Sequence, residues 1–301
     1  MKRKRKMNSQ KTIKELLREK NNDYSRYELF TDTSPIPSSV IIPAYNGGRQ
    51  LKRTLENLAR QISVMNNSSK FEVIVIDDGS NEDLYSIFKD VKFACPSLYA
   101  RHIHNQGRSS ARNFGINISS KELLFLFDAD VLLPNNYFEE SWAVHNNIKN
   151  AVVVGLAQNV YSDDPTCEVT STEEVNLDIT DDFRYKKILE GKEFRLIEET
   201  DWFKQFGHYR TIGPWTLSNM VVTHNLSVRK DVAREVRGFD ERFRTWGYED
   251  SNFGAKLISS GSYIVPLKNT GIIRIIQRNP KRKFSIENRE LYEKLLDEFK
   301  K

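Results

Sequence analysis

The sequence is poor in cysteine: its 301 residues contain two, Cys95 and Cys167. Their spacing is that of neither a metal site nor a redox motif, so they read as free buried thiols and fit a reducing cytoplasm. Long apolar runs are missing too. No window approaches the roughly 20 apolar residues needed to cross a bilayer. The basic start, Met1 to Lys6, is followed by no apolar segment of the kind a secretory signal carries. Neither a P-loop nor a dinucleotide glycine fingerprint occurs: Asn46-Gly47-Gly48-Arg49 fits neither, and Asn105 to Gly115 lacks the P-loop lysine and spacing. No internal repeat is visible.

What is present is a basic chain whose charge is unevenly spread. The net charge is +5. Residues 1–20 hold nine basic and two acidic side chains, a net +7. Residues 278–301 hold eight and five, a net +3, and the 257 residues between them stand at −5. The basic excess therefore belongs to the ends, and the middle is mildly acidic. Lys2–Lys6 has no interleaved aromatic residue and no nucleic-acid module is recognisable, so nucleic acid is not an expected partner. The ends read first as solvated tails. The second reading is peripheral contact with anionic lipid at the inner membrane face, through Lys2–Lys6 or Lys281-Arg282-Lys283. A hydrophobic share of 39% with 11% aromatics argues for a packed core.

The chain divides into a basic extension (1–35), two halves of one domain (36–150 and 151–277) and a basic amphipathic C-terminal helix (278–301). In the first half, Val40-Ile41-Ile42, Phe71 to Ile76, Leu98 to Ile103 and Leu123 to Phe127 read as strands. They alternate with helices near 50–62, 80–89 and 109–118, the first with Leu51, Leu55, Leu58 and Ile62 on one face. In the second half, Ala151 to Val154 and Tyr263 to Pro266 read as strands, and 230–236 and 251–260 as helices. Leu291, Leu295 and Phe299 mark one face of the last helix. Continuous apolar strands alternating with helices predict an α/β fold, with a mostly parallel central sheet flanked by helices.

Ligands of such sheets bind at the carboxyl ends of the strands. Three polar clusters fall there: Pro43-Ala44-Tyr45-Asn46, Asp77-Asp78-Gly79-Ser80 and Asp128-Ala129-Asp130. Residues two apart in extended chain point the same way. Asp128 and Asp130 would therefore repel each other unless a cation lay between them, and Mg²⁺ or Mn²⁺ suits one or two carboxylates plus substrate phosphates. Asp77 and Asp78 read either as turn and capping residues or as acceptors for a base edge or ribose. Arg108 and Arg112 near a helix start favour an anion. Downstream, Trp246-Gly247-Tyr248-Glu249-Asp250 sets two carboxylates beside aromatic rings that suit sugar faces.

Ser39 to Asn46, Val75 to Ser80, Asn105 to Gly115 and Phe127 to Asp130 stand in the order and spacing of a known family. The chain resembles glycosyltransferase family 2 over roughly residues 38–277. Asn225 to Arg229, Gly238-Phe239-Asp240 and Trp246 to Asp250 are similar to its chondroitin-polymerase and galactosyltransferase-like subset. The resemblance implies the GT-A nucleotide-diphospho-sugar transferase fold and a metal-dependent transfer from a UDP-sugar. Pro43, Ala44, Tyr45, Asn46, Asp77 or Asp78, and Arg112 would hold the nucleotide. Asp128, Ala129 and Asp130 would serve the ribose and the diphosphate with its Mn²⁺ or Mg²⁺, the metal ligands being Asp130 and Asp128. Glu249 and Asp250 would face the acceptor, with Asp250 as base in an inverting displacement. Trp215, His224, Asn225, Trp246, Gly247 and Tyr248 are the expected acceptor-side residues. The acceptor itself, whether glycan, peptide, lipid-linked sugar or small metabolite, is left open. The resemblance also implies a metal-ligand histidine beyond Asp250, and none is present: the corresponding stretch, Thr270 to Gln277, offers Gln277 or water instead. That departure keeps a rival reading, a non-catalytic nucleotide-sugar-binding protein on the same fold.

Overall fold

A computed structural model of the chain describes residues 32–147, 150–161, 217–276 and 285–299. The expectations placed on the N-terminal basic run, Cys167, Trp215, Gln277 and Lys281–Lys283 lie outside the described residues.

The first half runs β1 (Ser38–Ala44), α1 (Gly48–Ser63), β2 (Phe71–Asp77), α2 (Leu84–Asp90), β3 (Ser97–Arg101), α3 (Arg108–Ile118) and β4 (Leu123–Leu126). The second adds β5 (Val131–Leu132), α4 (Tyr137–Asn147), β6 (Ala151–Tyr161), β7 (Leu226–Arg229), α5 (Lys230–Glu235), α6 (Glu249–Ser259), β8 (Tyr263–Ile276) and α7 (Ile286–Phe299). All eight strands form one sheet in the order β3-β2-β1-β4-β7-β6-β8-β5. β3, β2, β1 and β4 are mutually parallel. β7 runs antiparallel between β4 and β6, β6 and β8 are parallel, and β5 pairs antiparallel with β8.

The apolar runs are explained by burial on both faces. Ile41, Ile74, Ile76, Leu124 and Leu126 point to one side and pack with Ala111 and Ile116 of α3, Val232 of α5 and Phe253 and Leu257 of α6. Their neighbours Val40, Ile42, Val73, Val75, Leu123 and Phe125 point to the other and meet α1 and α4. The four-residue stripe of α1 is fully buried there, each side chain contributing about 1.5–3 kcal/mol. α3 lies so close to β1 that a Cβ on Gly115 would come within 2.4 Å of Ile41 Cγ2.

The topology also places the site. β2 and β3 are laid on one side of β1 and β4 on the other, so a crevice opens at the carboxyl ends of β1 and β4, where the winding direction reverses. α7 packs on the rest of the domain. Tyr292 and Leu295 are buried, and Leu291 and Phe299 pack with them against Phe243, Ala255 and Tyr248. The apolar face of this helix is turned onto the protein.

Candidate active site

The register of β1 and β2 sets Ala44 beside Asp77, and the Asp78 N–H donates to the Ala44 carbonyl (2.8 Å). The three polar strand ends thus share one edge. From these ends Pro43 to Asn46, Asp78 and Asp128 to Asp130 line a cleft of about 460 Å³ together with Gly107, Arg108, Arg112, Thr245, Trp246 and Arg274. Tyr45 is 50% exposed and offers the cleft an aromatic face. Asn46 turns the chain at φ 55°, its N–H donating to Ser80 Oγ (2.8 Å) and its Oδ1 accepting from the Asn81 N–H (2.9 Å). The start of α1 is no anion site, because Glu82 already accepts from the N–H groups of Gly47 and Gly48 (3.0 and 2.7 Å).

The two adjacent aspartates have separate fates, as strand alternation requires. Asp77 is buried and does not line the cleft. Its Oδ1 accepts from the Ser80 N–H (2.8 Å) and its Oδ2 from the Tyr99 hydroxyl (2.6 Å). Asp78 lines the cleft. Its Oδ1 meets the Gln106 N–H (2.9 Å) and His102 Nδ1 (2.7 Å), and its Oδ2 accepts from the Gly107 N–H (2.9 Å). A carboxylate has about four acceptor sites, so Oδ2 keeps capacity for a further donor.

The cleft wall carries an array of alternating charges, with Glu249 and Asp250 behind it. Arg112, 2% exposed, reaches Asp128 Oδ1 (3.0 Å), Asp250 Oδ1 (3.4 Å) and Glu249 Oε1 (3.7 Å). Arg108, one helical turn earlier, approaches Glu249 Oε1 at 3.4 Å. Arg274 Nη2 lies 3.4 Å from Asp128 Oδ2 and 3.2 Å from Asp130 Oδ2. Burial alone would raise the Asp128 carboxyl, but Arg112 and Arg274 outweigh it and hold that group well below the ordinary range. Asp250 behaves oppositely: burial, helped by repulsion from Glu249 and Asp128 and opposed by Arg112, pushes it up to about 6. Its side chain keeps 23% of its surface exposed. Thr223 orients it through a hydroxyl (2.9 Å) and an N–H (3.2 Å). Asp250 stands one side chain back from the cleft wall, with Arg112 between it and Asp128.

The late motif mixes site and scaffold. Trp246 lines the cleft. Gly247 (φ 108°) and Tyr248 (φ 69°) form the left-handed entry into α6. Glu249, nearly fully buried, accepts from the Gly247 N–H through Oε2 (2.9 Å). Tyr248 stacks on Tyr292 of α7, with centroids 5.5 Å apart. Asn288 of α7 donates to the carbonyls on both sides of Trp246, those of Thr245 (3.0 Å) and Gly247 (2.8 Å). Asn225 is not exposed to a ligand. It is fully buried, accepts from the Tyr137 hydroxyl (2.6 Å) and donates to the carbonyls of Leu156 (3.0 Å) and Thr270 (2.8 Å), tying α4, β6 and β8 together. His224 lies close enough to Asp128 to help lower it.

Among the described residues, no group of three or more His, Cys, Asp or Glu side chains is placed to hold a metal. The Asp128–Asp130 pair nevertheless fits a hard divalent ion that completes its shell with substrate phosphates. The pair already surrounds a positive charge, the Arg274 guanidinium. Arg274 sits in the Thr270–Gln277 stretch, where an arginine among apolar residues gives no sequence signal of a site. Asn288 carried no signal at all.

A mixed sheet with its crevice at the ends of β1 and β4, lined by an aromatic side chain, an Asp-X-Asp pair and arginines, is the GT-A fold. Solved structures agree on that fold. Staphylococcus aureus TarS 1–349 in complex with UDP-GlcNAc superposes with TM-score 0.60 at 16% identity, covering 88% of this chain and 66% of that one. GalNAc-T7 with UDP, GalNAc and Mn²⁺ gives 0.61 at 17%, covering 88% and 48%. The chain belongs to glycosyl transferase family 2, whose pattern matches residues 39–236; that of the N-terminal domain of galactosyltransferase matches 216–279. Validoxylamine A glucosyltransferase of Streptomyces hygroscopicus subsp. jinggangensis is 30% identical over 245 residues, 76% of this chain and 53% of that protein. Chondroitin synthase of Escherichia coli is 26% identical over 260 residues, 82% of this chain and 35% of that protein. The chain thus spans about half or less of these relatives' length. Among the described residues no helix is long and apolar enough to cross a membrane.

Proposed function

We propose that this protein transfers a sugar from a UDP-sugar to an acceptor nucleophile, with the aid of a divalent ion and with inversion at the anomeric carbon. The observation that carries the reading is the convergence on one cleft of Tyr45, Asp78, Asp128, Asp130 and Trp246. Tyr45 would stack on the base, and Asp78 Oδ2 would accept from its N–H edge. Asp128 and Asp130 would hold Mn²⁺ or Mg²⁺, which when bound supplies charge that stabilises the leaving diphosphate. Arg108 lies on the same wall as these carboxylates and would add a donor to the phosphates. Trp246, clamped by Asn288, would present a ring to a sugar face.

Asp250 is the proposed general base. A carboxyl pushed up to about 6 is ionised at neutral pH yet basic enough to take a proton as the acceptor attacks. Thr223 fixes its orientation. Attack from the base's side, opposite the leaving diphosphate, inverts the anomeric centre. Two fold neighbours, TarS with UDP-GlcNAc and GalNAc-T7 with UDP, support the donor class.

The test is a panel of nucleotide sugars, scored by thermal stabilisation and by release of nucleoside diphosphate with and without Mn²⁺. One UDP-sugar is expected to stabilise the fold and to be turned over, and Asp130→Ala to lose that turnover. A folded protein that binds no UDP-sugar, or a product that keeps the donor's anomeric configuration, overturns the corresponding part.

A further inference from the structure

Four carboxylates (Asp128, Asp130, Glu249, Asp250) and three guanidiniums (Arg108, Arg112, Arg274) form one contiguous array, with a formal charge of −1. Arg112 bridges the two sides, reaching Asp128 at 3.0 Å and Asp250 at 3.4 Å, and Arg108 lies beside Glu249. The Asp128–Asp130 pair is spanned by Arg274, whose Nη2 approaches one oxygen of each carboxylate, at 3.4 and 3.2 Å. Arg274 comes from β8, and its placement is built into the sheet: Val131 pairs with Arg274, and the Ile275 N–H donates to the Asp130 carbonyl (2.9 Å). The burial of Arg274 opposes its charge, and Asp130 and Asp128 offset that opposition.

We infer that Arg274 is the resident counter-cation of the Asp128–Asp130 pair, holding the place of the divalent ion until a nucleoside diphosphate arrives. This rests on the donor reading above. The argument is one of charge. A divalent ion added alone would meet Arg274 inside the carboxylate pair and drive a nearly neutral array to about +1, which a partly desolvated cleft wall disfavours. A diphosphate added alone would bring its negative charge beside Asp128 and Asp130. Added together, the two nearly cancel. The diphosphate also gives the displaced guanidinium a new acceptor suited to its fork. Metal and nucleotide therefore bind with strong mutual reinforcement, and Arg274 sets the strength of that coupling.

The experiment measures Mn²⁺ binding by electron paramagnetic resonance, and UDP binding by calorimetry, on the full chain and on Arg274→Gln and Arg274→Lys. Folding of each variant is checked by circular dichroism. The wild type is expected to bind Mn²⁺ weakly alone and more than about tenfold more tightly with UDP. Arg274→Gln is expected to bind Mn²⁺ alone at least about tenfold more tightly than wild type, a modest demand since tenfold is about 1.4 kcal/mol. In that variant the gain from UDP shrinks. Arg274→Lys keeps the charge but loses the fork, so it falls between the two and serves as the readout should the glutamine variant not fold. Identical Mn²⁺ affinities in wild type and a folded variant, with UDP still bound, overturn the inference and leave the donor reading intact. If UDP binds to none of the proteins with or without Mn²⁺, the donor reading itself falls, and the inference with it.

Discussion

Arg112 is the most exacting test of the charge array. Its guanidinium is 2% exposed and has three carboxylates within 4 Å: Asp128 at 3.0 Å, Asp250 at 3.4 Å and Glu249 at 3.7 Å. Its carbon also sits 5.4 Å from the Phe239 ring centroid. Arg112→Met keeps the packing volume but strands those carboxylates, and breaking a buried ion pair from one side costs about 3–5 kcal/mol. The loss must depend on pH. Asp250 is pushed up to about 6 even with Arg112 opposing the shift, so without Arg112 it rises further. A raised carboxyl adds stability below its unfolded pKa and loses it as pH climbs through the folded one. Asp128 is lowered in the wild type, so its contribution is lost as pH falls; that advantage shrinks when Arg112 is gone. Between pH 8 and pH 5 the Asp250 change narrows the gap between variant and wild type, and the wild-type Asp128 contribution is lost only below that group's ordinary value of 3.8. Urea unfolding followed by circular dichroism at pH 8 and pH 5 reads it directly. The gap is expected to be about 3–5 kcal/mol at pH 8 and clearly smaller at pH 5. Arg112→Lys, a charge without the fork, should fall between. A methionine variant within about 1 kcal/mol of wild type at pH 8, or a gap that does not narrow, would refute the assignment of Arg112 as the keystone of the array.

Two further predictions concern roles that the late motif blends together. Asp250→Asn should lower kcat by about 10²–10⁴-fold while UDP affinity stays within a few-fold. The wild-type rate should rise with pH up to a plateau whose midpoint lies near 6, and a flat profile from pH 5 to 8 would remove Asp250 as the base. Asn225→Leu should act on stability: it strands the Tyr137 hydroxyl and the carbonyls of Leu156 and Thr270, each an unsatisfied buried group worth about 1–3 kcal/mol. A stable variant with altered acceptor preference would return Asn225 to the binding surface.

Much of the fold was readable because its signals are local. The apolar runs of β1, β2 and β4 and the α1 stripe each occupy a few consecutive turns or pleats. α4 escaped because Ala143 and Val144 are buried as well as the stripe of Tyr137, Phe138, Trp142 and His145, so its burial is not confined to one face. β5 is two residues long and exists only through its pairing with β8. The three strand ends announced the cleft, but which of Asp77 and Asp78 faces it depends on the pleat at the last residue of β2, and composition does not fix that. Asn225 misled for a related reason: a polar residue before a short strand reads alike whether it faces a ligand or bonds three buried partners.

The site's charge was the least legible property, because it is assembled across the whole chain. Net charge placed −5 in the middle of the sequence and suggested an acidic cleft awaiting a metal. The fold instead gathers Arg108, Arg112 and Arg274 onto the same four carboxylates, with Arg274 separated from Asp130 by 144 positions. An acidic average and a nearly neutral site are compatible because arginine, the residue suited to buried carboxylate pairs, is concentrated where the carboxylates converge. Which guanidinium reaches which carboxylate in this cleft therefore depends on sheet register, as the Val131–Arg274 pairing shows, and not on composition.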